Sequence, residues 1–253
     1  MSLHVDRSGS GADLVLLHGW GLHSGAWDEV APLLARRFRV HAIDLPGHGH
    51  SAAMPGASFE EAAEAVAEAI PVGAILCGWS LGGLFAQRIA RSRPERAGAL
   101  ALVGATPCFV ERHSWPAGMK ASTFGEFESG LATDLDATLA RFVRLAALNG
   151  SGARAAIRTL AECLEERGPP NADGLSCALG WLRDTDLRED ARGLEQPAVV
   201  IHGKRDALAP IDAGRWLGRA LPHARLVELD DCAHVPVLTP RDAFVHALKS
   251  LHG

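Results

Sequence analysis

Six short apolar runs, each cut off by a turn, constrain this chain more than any other feature. They occupy residues 14–17, 39–44, 73–77, 97–103, 198–202 and 225–229. A strand that is apolar on both faces has to be covered on both faces. That is the condition of a parallel sheet between helical layers, not of a half-solvated hairpin. Helical patterns separate the runs. Residues 58–70 open on the capping-box pattern Ser58-Phe-Glu-Glu61 and keep Ala62, Ala65, Val66 and Ala69 on one side. Residues 81–92, 211–220 and 241–251 follow the third, fifth and sixth runs. The alternation predicts an α/β fold with a mostly parallel sheet and helices on both faces.

The alternation stops at residues 109–185, where only helical patterns occur: 123–132, 134–148, 152–167 and 172–183. Asn149-Gly-Ser-Gly152 and Gly168-Pro-Pro-Asn171 punctuate them. A helical block between two strands of such a sheet reads as a lid over the strand C-termini. The expected organisation is a core of residues 1–108 and 186–253 with a lid of 109–185. A chain of 253 residues suits one large domain with an insertion.

The net charge of −5 argues against a broad nucleic-acid surface. No run of about 18 apolar residues occurs, so no membrane span is expected. The first residues lack the basic start and apolar stretch of a signal peptide. The five cysteines (Cys77, Cys108, Cys163, Cys177, Cys232) are dispersed without a C-x-x-C pair, which reads as reduced thiols in a cytoplasm. Cys77 reads as a small buried strand residue. His48 and His50 form an H-x-H, but nothing nearby in the sequence completes a metal site. Neither metal nor cofactor is expected, and the chain is expected to act as a monomer.

Gly78-Trp79-Ser80-Leu81-Gly82 is a G-x-S-x-G with an apolar run before it and a helical pattern after it. That context makes a sharp strand-to-helix turn that thrusts the serine hydroxyl outward, with glycines where side chains would collide. A serine nucleophile needs a base, and the base needs an orienting acid, in the chain order Ser, acid, His. Asp206 follows the fifth run through Gly203-Lys-Arg, and His234 follows the sixth. Asp212 reads as a helix cap. Asp230 and Asp231 lie too near a strand end to reach back. His202 reads as a packed strand histidine, and the remaining histidines as surface residues. An attacked ester needs two fixed donors for its oxyanion: the N–H of Leu81 and that of Trp20 in His18-Gly-Trp-Gly21. Trp20, Trp79, Leu81, Phe109 and Phe142 are the expected apolar lining. Phe142, Val143, Leu145 and Leu148 are expected to face the core or the acyl pocket.

These residues, with Asp44-Leu-Pro-Gly-His-Gly-His-Ser51, resemble the α/β-hydrolase family along nearly the whole chain. A narrower likeness rests on Leu16 to Leu22, Gly78 to Leu84, Thr106-Pro-Cys-Phe109, Trp115-Pro116 and Arg141-Phe142. These look like the pimeloyl-[acyl-carrier protein] methyl ester esterases of biotin synthesis. The resemblance implies a serine carboxylesterase that acts on a methyl ester at the far end of a carrier-bound acyl chain. It implies Ser80, Asp206 and His234 as the triad and Trp20 and Leu81 at the oxyanion. The partner it implies is a small acidic carrier protein. Between Arg141 and Glu162 stand Arg141, Arg144, Arg154 and Arg158 with no acid between them. Their spacings of three and four put each pair on one helix face, a basic patch suited to an acidic partner. A solvated helix face is the plainer reading of the same arginines. A broad short-chain carboxylesterase, a C–C bond hydrolase and a ligand receptor on the same fold are the alternatives.

Overall fold

The computed structural model describes residues 3–166 and 171–251. In chain order the strands are β1 (Val5–Gly9), β2 (Ala12–Leu17), β3 (Phe38–Ile43), β4 (Ala74–Trp79), β5 (Ala97–Val103), β6 (Ala198–Gly203) and β7 (Ala224–Leu229). The helices are α1 (Ala31–Leu34), α2 (Phe59–Glu68), α3 (Leu81–Ser92), α4 (Ala121–Thr133), α5 (Leu135–Ala147), α6 (Ala153–Glu166), α7 (Ala172–Asp184), α8 (Arg188–Arg192), α9 (Ile211–Ala220) and α10 (Arg241–Lys249).

The strands form one sheet in the order β1-β3-β2-β4-β5-β6-β7, parallel except for β1 against β3. The six apolar runs are its six parallel strands, and β4, β5 and β6 are buried nearly end to end. The parallel expectation therefore holds, because only strands covered on both faces need apolar residues at every position. β1 gave no signal in the sequence: Val-Asp-Arg-Ser-Gly is an exposed edge, held by its backbone ladder to β3 and not by burial.

From β2 the chain steps outward to β3, then returns across to β4 on the other side of β2. The order reverses there, and the C-terminal ends of β2 and β4 meet at this switch point, the usual place for a ligand in such sheets. His18-Gly19-Trp20 leaves β2 and Ser80 leaves β4 at this point.

Among the described residues between β5 and β6, α4 to α7 carry the helical pattern and no strand joins the sheet. The helix at 134–148 starts one residue later than expected, because Asp134 is its cap: the Asp134 carboxylate accepts the Ala137 N–H at 3.0 Å. The expected end of the third helix at Arg167 and the Gly168-Pro-Pro170 breaker lie outside the described residues. Two expectations need correcting. Leu148 is exposed, because α5 ends at Ala147 and the chain has already turned away from the core. Asp212 is not the cap of α9, which begins after Pro210. It sits in the first turn, where a carboxylate favours the helix dipole, and pairs with Arg215.

Candidate active site

Ser80 stands between the last residue of β4 and the first of α3, with φ 55° and ψ −115°. A side-chain-bearing residue rarely adopts a positive φ, and such strain persists only where the surroundings enforce it. Here the enforcement is close packing. A Cβ on Gly78 would lie 2.2 Å from the Gly82 carbonyl oxygen, and one on Gly82 would lie 2.1 Å from that of Leu17. Only glycine lets β2, β4 and α3 converge. As the first residue of α3, Leu81 has an N–H without an intrahelical partner. The Trp20 and Leu81 amides donate to no other described group.

Asp206 follows β6 and His234 follows β7, and the structure brings them together. His234 Nδ1–H donates to Asp206 Oδ2 at 2.7 Å, and both side chains are buried. The other carboxylate oxygen of Asp206 accepts the Leu208 and Ala209 amides at 2.9 and 2.8 Å. With Nδ1 carrying the proton, His234 Nε2 is a free acceptor, buried and without a partner. His202 stands behind this pair. Its Nε2 lies 2.8 Å from the Ala209 oxygen, which it can only donate to, and 3.5 Å from Asp206 Oδ2. Burial holds its pKa below the ordinary imidazole value, and its Nε2–H is committed to the Ala209 oxygen beside the carboxylate. The reading of His202 as a packed strand histidine holds, but packing is only part of its role.

The loop after β2 is built around His18. Its Nδ1–H donates to the Gly19 oxygen at 2.8 Å and its Nε2 accepts the Leu45 N–H at 2.9 Å, which sets both its tautomer and the course of the chain into Trp20. Burial, with His48 beside it, lowers its pKa to about 3. His48 is lowered to about 4, again by burial, and its Nδ1–H donates to the Pro46 oxygen. Burial alone would raise the Asp44 pKa, but the Ser24 and His50 amides donate to its carboxylate and keep it low. The surface reading of the remaining histidines is therefore wrong for His18, His23 and His41, which are all buried. Each bonds to a group brought in by folding, which no local pattern reports.

Trp20 is the node between core and insertion. Its indole N–H donates to the Leu175 oxygen of α7 at 3.0 Å, and its ring packs edge-on against Phe142 at 5.1 Å and Phe127 at 6.5 Å. Phe109 packs against Phe124 at 6.2 Å. Phe124 and Phe127 escaped notice in the sequence because α4 is only weakly amphipathic around its Gly125. Trp79 lies behind the histidine loop: its indole N–H donates to the His234 oxygen at 2.8 Å and its ring meets Trp27. Cys77 and Cys232 are buried thiols. Burial pushes both pKa values up, that of Cys232 to about 12, so neither supplies a thiolate nucleophile.

The insertion arginines divide into two kinds. Arg141 pairs with Glu126 and lies over the Phe127 ring, and Arg158 pairs loosely with Glu162 at 3.8 Å. Arg144 and Arg154 are exposed and make no ion pair with any described residue. Among the described residues, one His/Asp group has the compactness of a metal site: polar atoms of His4, Asp44 and His50 lie within 4.8 Å of one another. The Asp44 oxygens anchor the loop through backbone amides and His4 Nε2 meets Asp6, so loop anchoring accounts for the group.

The α/β hydrolase fold family matches residues 14–240. The pimeloyl-[acyl-carrier protein] methyl ester esterase of Nitrosomonas europaea is 40% identical over 250 residues, 99% of each chain. Its counterpart in Chromobacterium violaceum is 41% identical over 98% of this chain and 97% of that one. A hydrolase from Pseudomonas aeruginosa superposes with a TM-score of 0.84 at 28% identity, over 99% of this chain and 94% of that one. An esterase from Exiguobacterium antarcticum, at 23% identity, shares the fold with a TM-score of 0.87 over 98% and 94%. The match spans nearly the whole chain, and this chain belongs to the α/β-hydrolase family.

Proposed function

We propose that this protein is a serine carboxylesterase that hydrolyses the methyl ester of an acyl chain carried on acyl-carrier protein, the pimeloyl-type ester of biotin synthesis, in the cytoplasm. The observation that carries the reading is end-to-end identity of about two residues in five with esterases named for that substrate. The chemistry has a stated place for each group. Ser80 Oγ attacks the ester carbonyl while His234 Nε2 takes its proton. Asp206 holds the imidazole in the required tautomer and balances the imidazolium charge. The Trp20 and Leu81 amides receive the oxyanion. His234 then protonates the departing methanol and, in the second half, draws a proton from the water that releases the acid. No metal or cofactor enters this scheme.

In this reading residues 109–185 act as the lid. Trp20, Leu81, Phe109 and Phe142 line the acyl site, and Trp79 supports it from behind. Arg141, Arg144, Arg154 and Arg158 receive the acidic carrier. The exposure of Arg144, Arg154 and Arg158 supports this, as does the lack of an ion pair to Arg144 and Arg154 among the described residues, whereas Arg141 is half-buried against Phe127 and paired with Glu126. The test is steady-state hydrolysis of a carrier-bound dicarboxylate methyl ester against the same ester free in solution, with Ser80→Ala as control. The expected result is a higher kcat/KM on the carrier-bound ester and no turnover with Ser80→Ala. Equal efficiency on both would make this a broad esterase, and activity surviving in Ser80→Ala would overturn the mechanism.

A further inference from the structure

The loop that carries His234 is fastened to the helical insertion. His234 N–H donates to the Ala146 oxygen in the last turn of α5 at 2.9 Å. Ser151 N–H donates to the Asp231 oxygen at 2.7 Å, and Thr239 Oγ1 to the Ser151 oxygen at 3.2 Å. Gly150 is pressed against the same loop: a Cβ there would lie 3.0 Å from that of Ala233. Arg205 closes the arrangement. Its Nη1 donates to the Asn149 oxygen at 3.0 Å, its Nη2 pairs with the Asp231 carboxylate, and its main-chain N–H donates to the Cys232 oxygen at 2.9 Å. Asn149, at φ 64°, is the point where the chain reverses between α5 and α6. One half-exposed guanidinium thus joins the turn of the insertion, the loop of the base and the loop of the orienting acid.

We propose that Arg205 is a positioning residue that sets the placement of His234 by clasping the α5–α6 turn to the histidine loop. The inference rests on the reading of His234 as the base. The rest of the histidine's main chain is held from the core side, where the Trp79 indole N–H donates to its carbonyl. Its N–H depends on α5. Arg141 and Arg144 lie on α5 and Arg154 lies in the first turn of α6, so a carrier seated on them bears on the turn that Arg205 holds. The bond pattern needs a planar fork. Two acceptors in different directions, a carbonyl and a carboxylate, are met by two separate nitrogens held in one plane, a geometry the single nitrogen of an ammonium does not reproduce. A base displaced by a fraction of an ångström loses rate steeply while substrate binding is spared.

The experiment compares Arg205→Ala and Arg205→Lys with wild type, all as full-length protein. It reads kcat and KM on a small free methyl ester and on the carrier-bound ester, the thermal melt, and the downfield proton resonance of His234 Nδ1–H. The expected result for Arg205→Ala is a kcat about tenfold lower on both esters, a KM for the small ester within twofold of wild type, and a broadened resonance. Arg205→Lys should recover less than half of the lost kcat. Unchanged kcat and resonance would overturn the proposal, and so would a kcat loss fully matched by loss of folded protein. Ser80→Ala and His234→Ala run alongside. If they are inactive while Arg205→Ala is wild-type, the clasp alone fails. If either turns over, the assignment beneath it fails too.

Discussion

Ser80 holds a backbone conformation that costs of order 1–3 kcal/mol in isolation, and its neighbours bear that cost because β2, β4 and α3 meet there without intervening side chains. A methyl at position 82 has nowhere to go except into the Leu17 carbonyl. Gly82→Ala should therefore push α3 away from β2, displacing the Leu81 amide together with the serine. The expected outcome is a kcat/KM on a small ester at least about 100-fold lower, the order seen when one oxyanion donor is lost, with a lower melting temperature. Near-normal activity in a folded Gly82→Ala protein would contradict this account of the elbow. For the proposed triad, Ser80→Ala or His234→Ala should lower kcat by about 10⁴-fold, because such groups act as a unit. A fluorophosphonate should label Ser80 in wild type and nothing in Ser80→Ala, as read by peptide mapping.

The helices α5 and α6 do two kinds of work on opposite faces. Inward, Phe142, Val143 and Ala146 of α5 are buried against the core side, and edge-on aromatic pairs such as Trp20–Phe142 contribute about 0.5–1.5 kcal/mol each beyond area. Outward, the same helices present arginines at spacings of three and four. Exposed charge pairs are individually worth only about 0.2–1 kcal/mol, so docking should need several of them together. Charge reversal of Arg144, Arg154 and Arg158 to Glu should raise KM for the carrier-bound ester several-fold and leave the small ester unaffected. The salt dependence of the carrier reaction should flatten as well, since such steering is screened beyond about 10 Å at 0.1 M salt. Parallel loss on both esters would mean that the insertion had been destabilised. Arg141 is omitted from the set because its bond to Glu126 and its place over Phe127 tie it to packing.

At the scale of the whole molecule, the buried histidines make stability depend on acid. His18 and His48 are neutral in the folded protein, with pKa values of about 3 and about 4 against 6.5 for the free side chain. Below pH 6.5 the unfolded chain takes up protons that the folded chain refuses, so stability rises with pH across the window from about 4 to 6.5 and is lost on acidification. At about 1.36 kcal/mol per pH unit per group, the fall from pH 6.5 to 5 comes to about 2 kcal/mol for each histidine. Urea unfolding at pH 7, 6 and 5 should show this loss, and His48→Phe should reduce the slope by about one proton. A slope identical to wild type would mean that His48 is not held neutral inside the fold.

Local order was legible in the chain because it depends on neighbours in sequence. Apolar runs of strand length and the Ser58–Glu61 capping box each declare an element through short-range sterics and hydrogen bonding. G-x-S-x-G between a run and a helical pattern declares the elbow in the same way. The chain order of Ser80, Asp206 and His234 was legible too, since a parallel sheet delivers the ends of all its strands to one edge. Long-range pairing was not legible. β1 has no apolar signature because backbone bonds to β3 make it a strand, and His18, His23 and His41 look like any surface histidine until folding supplies their partners. Leu148 looked like core by periodicity, yet the helix ends one residue earlier. Arg205 carries no signal of its own in the sequence, and only the meeting of the α5–α6 turn with the β7 loop gives its guanidinium two acceptors. The sequence by itself determined the parallel strands, the helices between them and the candidate groups for the chemistry, because periodicity and turn sterics act over a few residues. The tertiary structure decided how tightly those groups are held and by what, because the donors and acceptors that hold them come from parts of the chain that only folding brings within hydrogen-bond reach.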